Sequence, residues 1–264
     1  MVACAAHPGG FVRWAPVAPA CARGDGFGAD AGEVLRGSAH SLTVRLHDAS
    51  VDVRLRPRVV WPRRALGALG PAQLVPGLPQ YWHPVVLAAD VEGEACFDGT
   101  RVRLDGASAY LEKNWGPGFA GRWWWGHAGA FPDGDVAVAF AGGPVLGRAA
   151  ATAVVIRVGS KLLRFSPPLA YVSADRWHVR ARSVRHSVEI EGDPAGHEPH
   201  LLPVPDVEAG RVEMRSQQHL AARLHVRLRR GRRTVIDETS PLAGLELGEP
   251  AGEVSAPPHG EQPR

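Results

Sequence analysis

Apolar and polar residues alternate with a period of two along most of this chain, the pattern of strands that bury one face and wet the other. Residues 41–46 and 51–55 alternate around a turn at Asp48, Ala49 and Ser50, which predicts a hairpin. The same pattern continues at 85–92, 100–104 and 108–114, and then at 136–141, 151–158 and 161–165, with Gly159 and Ser160 as a two-residue turn. Residues 176–182, 187–191, 211–215, 220–229 and 234–238 complete the set. No window sustains the apolar period of a long helix, and 63–74 predicts at most a short one. The pattern predicts an antiparallel all-β fold.

Composition narrows this to one domain with loose ends. The chain has 264 residues, of which 31 are glycine and 23 proline, a density that suits many short strands joined by tight turns. Residues 1–24 mix Pro, Gly and Ala without period, and 249–264 are rich in Pro, Gly and Glu, so both are expected as solvated tails around a domain over 25–248. Pro8, Gly9, Gly10 and Arg13 interrupt any signal-like apolar core, and no run approaches the roughly 18 apolar residues of a membrane span.

The chemistry concentrates at 110–127, which holds four of the eight tryptophans: Trp115, Trp123, Trp124 and Trp125. At strand spacing, Tyr110, Glu112 and Asn114 share one face while Leu111, Lys113 and Trp115 share the other. Gly116, Pro117 and Gly118 break the strand. Beyond them Trp123, Trp125 and His127 point one way, and Trp124 and Gly126 the other. Such a cluster suits a pocket, because an indole needs both burial and a partner for its N–H. Aromatic stripes at this spacing also suit the packing of an ordinary β core.

Other candidate sites carry less. Cys4, Cys21 and Cys96 make no disulfide framework and fit a reducing, cytoplasmic setting. The charge is mildly basic, with 30 Lys and Arg against 27 Asp and Glu, and the only lysines are Lys113 and Lys161. The arginine-rich run 227–233 straddles Gly231, so it reads as a solvated hairpin tip and not as a nucleic-acid site, with attraction to anionic lipid headgroups the better alternative. His197, Glu198, Pro199 and His200 read as a loop without a metal, since Pro199 prevents a helical ligand pair. Gly142, Gly143, Pro144 and Gly147 lack the lysine of a phosphate loop.

The string Glu112, Lys113, Asn114, Trp115 and Gly116, followed by Phe119 and the triplet Trp123, Trp124 and Trp125, resembles the signature of the tocopherol cyclase family. Upstream, the segment 78–86 with Tyr81, Trp82 and His83 is similar to that family's Tyr-His-Val segment, and downstream 220–238 and 242–248 resemble its closing strands. The resemblance covers 25–248. His127 stands where the family commonly has Gln, and Ala120 where it commonly has Pro. Unlike glutamine, histidine can exchange a proton near neutral pH. The family's first group of strands has no counterpart before residue 25, so either the start lies upstream of Met1 or the barrel is incomplete at its N-terminal seam, with unpaired strand edges.

The resemblance implies a lipocalin-like β-barrel or sandwich whose interior takes a lipophilic small molecule. It implies an intramolecular cyclase that protonates a chain double bond of a prenylated hydroquinone, or a related terpenoid phenol, and lets the phenol oxygen capture the cation. That chemistry needs no redox cofactor and no metal. In it Glu112 serves as the general acid, Trp123 and Trp125 offer their faces to the cation, and Asn114 orients the phenol. His127 or His83 accepts the phenol proton, Tyr81, Tyr110 and Trp115 complete the binding surface, and Lys113 pairs with a carboxylate or stays outside. Asp237 and Glu238 are reserve acids. The expected partners are the lipophilic substrate and, peripherally, the membrane that supplies it. The alternative is a non-catalytic carrier using the same barrel. The oligomeric state stays open.

Overall fold

The computed structural model describes residues 1–250 apart from 18, 23–26, 63–64, 79, 147–148 and 207–209, so of the tail expected at 249–264 all but residues 249 and 250 lie outside the described residues. The chain opens with a hairpin of β1 (Val2–Ala6) and β2 (Phe11–Ala15). A first sheet follows, made of β3 (Ala20–Ala22), β4 (Gly28–Ala31), β5 (Leu35–Ser38), β6 (Ser41–Leu46), β7 (Ala49–Val60), β8 (Tyr81–Phe97), β9 (Thr100–Arg103) and β10 (Ser108–Trp115). The second sheet begins with β11 (Trp123–Ala128), β12 (Val136–Leu146), β13 (Ala149–Val158), β14 (Lys161–Phe165) and β15 (Tyr171–Asp175). It continues with β16 (His178–Arg182), β17 (His186–Asp193), β18 (His200–Asp206), β19 (Arg211–Arg230) and β20 (Arg233–Gly248).

Every pairing is antiparallel, so the all-β expectation holds. The first sheet runs β10-β8-β7-β6-β5-β4-β3, and the second β14-β13-β12-β11-β20-β19-β17-β16-β15. Among the described residues neither path returns to its own start, so the barrel is not closed. The second sheet nevertheless curls until β13 lies against β15. Its concave face carries the main core, with Phe140, Val154, Ile156, Ile190, Leu224, Leu228 and Leu245 fully buried.

Strands β12 and β13 are apolar on both faces because both are covered. Val138, Phe140, Val154 and Ile156 fill the concave core, while Ala139, Ala153 and Val155 face the first sheet's Trp82 and Leu87. The outward positions are mostly alanine, and these small side chains let a tryptophan-bearing sheet approach closely. This contact is where the 110–127 run is delivered, β10 coming from one sheet and β11 from the other.

The structure corrects the reading of residues 1–24 as a solvated tail, since β1, β2 and β3 lie there. Val2 packs with Ala31 and Val44 of the first sheet, and the His7 ring sits 5.1 Å from His197 and 5.9 Å from His200. The segment has no clean alternation because it is a half-buried hairpin, not a core strand. The helix expected at 63–74 shrinks to a 3-10 turn, Gly70–Leu74, opened by Pro71. The strand expected at 176 begins at His178, because Arg176 turns the chain at φ 52°. The segments expected at 211–215 and 220–229 form one strand, irregular in register between His219 and Leu224.

Candidate active site between the two sheets

Strand β10 pairs with β8 so that Asn114 lies opposite Trp82 and Glu112 opposite Pro84. Directly opposed residues share a face, so Trp82, Glu112 and Asn114 look together toward the second sheet. From that sheet β11 presents Trp125 and His127, while Trp124 turns into the concave core and donates from Nε1 to Thr152 Oγ1 at 3.1 Å. The expected alternation of Trp123, Trp124 and Trp125 is thus present.

Glu112 is the centre of the arrangement. Its Oε2 accepts from Trp82 Nε1 at 2.6 Å, Tyr110 Oη at 2.6 Å and Trp125 Nε1 at 2.9 Å. Its Oε1 accepts from Asn114 Nδ2 at 3.1 Å. Four donors from three strands converge on one carboxyl group. Burial holds the Tyr110 phenol well above its ordinary pKa, with the Glu112 charge acting in the same direction, so Tyr110 stays a donor. The His127 ring stacks on Tyr110 at 4.2 Å between centroids. Burial pushes His127 down to about 4, and its Nε2 finds no hydrogen-bond partner among the described residues. At neutral pH it is therefore an uncharged imidazole, less basic than an ordinary histidine.

Trp82, Glu112, Asn114 and Trp125 line a cleft that holds about 990 Å³ of empty space, counted out to its open mouth, whereas Tyr110, expected on the binding surface, and His127 lie outside its lining. Trp82, Trp123, Trp125 and Phe119 supply aromatic faces, Leu69, Leu78 and Pro144 aliphatic ones, and Glu112, Asn114 and Glu246 the polar groups. Trp123 is held between Phe119, 5.2 Å away, and the Arg215 guanidinium, 5.0 Å away, and its ring covers Gly248.

Sequence reasoning passed over Glu246. It lies opposite Trp125 in the β11 and β20 pairing, and its Oε1 accepts from Trp123 Nε1 and from Ser216 Oγ, each at 2.8 Å. Burial raises its pKa, and the Glu112 charge adds to this against the bonds from Trp123, Ser216 and Gln218. The available signal was a lone acid between Leu245 and Leu247, pointing away from the core those leucines enter.

Three expected binding residues lie elsewhere. Tyr81, His83 and Trp115 occupy the opposite face of β8 and β10, because Trp115 opposes Tyr81 and Lys113 opposes His83. Tyr81 and Trp115 stack at 5.4 Å, Lys113 Nζ lies 5.3 Å over the Trp115 ring, and His83 meets Trp61 edge-on at 5.5 Å. Burial, with the Lys113 charge, lowers the His83 pKa. The reserve acids are also displaced. Asp237 is exposed and bound to Arg227 at 3.0 Å and His225 at 2.9 Å, which hold its carboxyl below the ordinary value. Glu238 accepts from the Asp133 backbone N–H at 3.3 Å, away from the cleft.

Among the described residues no helix is long and apolar enough to cross a membrane. The chain is 30% identical over 191 residues to a probable chloroplastic tocopherol cyclase of Oryza sativa subsp. japonica, covering 66% of this chain and 40% of that protein. It is 28% identical over 202 residues to the chloroplastic tocopherol cyclase of Zea mays, covering 70% of this chain and 42% of that protein. The chain thus spans about two fifths of the length of these curated relatives. Among solved structures, kievitone hydratase from Nectria haematococca superposes with a TM-score of 0.49 at 10% identity, covering 85% of this chain and 72% of that one. A family model described as tocopherol cyclase-like matches residues 25–249, which include β10, β11 and Glu246, and the chain belongs to that family.

Proposed function

We propose that this protein is a cofactor-independent cyclase that closes a ring on a prenylated hydroquinone or a related terpenoid phenol. A proton from a cleft carboxyl adds to the chain double bond nearest the ring and leaves a tertiary carbon cation. The phenol oxygen then bonds to that carbon and gives up its proton to a second cleft group. Atoms are conserved and no electron leaves or enters, so substrate and product have the same mass.

The observation that carries this reading is the setting of Glu112, one carboxyl held by four donors inside an aromatic cleft. The faces of Trp123 and Trp125 stabilise the cation through their quadrupoles, worth about 2 kcal/mol or more each where water is excluded. Asn114 lies toward the exposed end of β10, where its amide can orient the phenol while bonded to Glu112. His127 sits behind Tyr110 and acts through it as a positioning residue. The aliphatic lining accepts the prenyl chain, and a substrate of this kind is drawn from a membrane surface.

Incubation of the purified protein with a prenylated hydroquinone under argon tests the reading. Formation of a chromanol of unchanged mass supports it. Quenching of tryptophan fluorescence without product would replace it with the carrier reading.

A further inference from the structure

Glu112 and Glu246 line the same cleft from opposite sheets, and Glu112 has the larger number of donor-only partners. The partners of Glu112 Oε2 include the indole N–H groups of Trp82 and Trp125, which can only donate. A proton on that oxygen would have to displace both, leaving the Tyr110 hydroxyl as its acceptor there. The partners of Glu246 include Ser216, whose hydroxyl can donate or accept, and Gln218, whose amide offers a carbonyl. Protonation of Glu246 therefore sets one donor-only indole, that of Trp123, against its O–H, whereas protonation of Glu112 at Oε2 sets two, so the carboxylate form is the better held at Glu112. Two neighbouring carboxyls in unlike surroundings are the arrangement by which an acid and a base are kept apart at one pH.

We propose that Glu246 is the proton donor of this cleft and Glu112 the carboxylate that takes the phenol proton. This rests on the cyclase reading above and divides between two residues the role that sequence reasoning gave to Glu112 alone. The balance is complete. The Glu246 O–H bond breaks as a C–H bond forms on the prenyl chain, the C–O bond forms, and the phenol O–H proton passes to Glu112. After product leaves, Glu112 returns its proton to solvent and Glu246 regains one. Burial of Glu246 and the nearby Glu112 charge both favour its protonated resting state.

Trp123 links this donor to the cation site. Its Nε1 holds Glu246 Oε1 while its ring lines the cleft, so the proton source and the surface that receives the cation are fixed to one another.

Infrared difference spectroscopy of the wild type, E246Q and E112Q at pH 7 without substrate tests where the proton resides. The expected result is a protonated-carboxyl C=O band in the wild type that is lost in E246Q and kept in E112Q. Absence of that band from the wild type, or its loss in E112Q with retention in E246Q, overturns the assignment. This readout needs no turnover, so it separates failure of the proton assignment from failure of the cyclase reading. If chromanol forms, E246Q should lower kcat by about 100-fold or more with KM little changed. Normal turnover by an E246Q protein that still shows wild-type tryptophan quenching by substrate would likewise overturn it.

Discussion

At the scale of single residues, Glu112 is held so completely that its replacement has two consequences. Glu112→Gln keeps the shape, but with its one oxygen at the Oε2 position its N–H₂ faces the Asn114 Nδ2 donor, and the bonds from Trp82, Tyr110 and Trp125 lose the charge that strengthens them. A loss of about 1–3 kcal/mol in urea-unfolding stability is expected, together with loss of chromanol formation. Unchanged stability and turnover would remove Glu112 from the centre of the site. His127 gives a second prediction. Its folded-state pKa of about 4 lies below the ordinary 6.5, so the unfolded chain binds the proton more readily. Its contribution is therefore complete above pH 6.5 and declines as pH falls toward 4, by on the order of 3 kcal/mol. His83, His200 and His219 are lowered as well and add to the slope. Comparing pH-dependent stability of the wild type and His127→Gln isolates the term, and equal slopes would contradict it.

At the scale of strands, much was legible from alternation, and what was not legible depends on pairing. The two faces of β10 and β11 follow from spacing alone, which is why Glu112, Asn114, Trp123 and Trp125 reach one cleft as expected. Which face of β8 joins them does not follow, because it depends on Trp82 and not His83 standing on the same face as Asn114. Tyr81 and His83 were misplaced for that reason, whereas spacing alone already set Trp115 on the far face of β10. Glu246 escaped notice because its meaning comes from Trp123 across the β11 and β20 ladder, 123 positions away in sequence. The same ladder brings Gly248 opposite Trp123, where an added Cβ would meet the indole at 2.1 Å. Gly248→Ala should displace Trp123, weaken its bond to Glu246 and cost about 1–3 kcal/mol by overpacking. A wild-type unfolding midpoint and an unshifted tryptophan emission spectrum would show that the ring does not need that space.

At the scale of the molecule, two sheets share the work. The curled second sheet holds the main core, and the first sheet brings β8 and β10 to its outer, alanine-rich face, so the cleft forms beside the apolar contact that the two sheets share. The N-terminal hairpin packs on β18 and against the first sheet through Val2, and none of its residues lines the cleft. Deleting residues 1–16 should therefore lower the melting temperature while leaving chromanol formation by the folded fraction intact. Loss of turnover at full folding would mean that the hairpin acts on the site.

The central claim is that the cleft's carboxyls deliver a proton to a prenyl chain among tryptophan faces and so close a ring. Its most direct test is turnover of a prenylated hydroquinone in D₂O under argon, with mass analysis of the product after back-exchange in H₂O. The account predicts a chromanol carrying a single non-exchangeable deuterium on the carbon that received the proton, no chromanol from E112Q, and formation slowed by about 100-fold or more in E246Q. A chromanol without that deuterium, or one formed equally well by both variants, would contradict it.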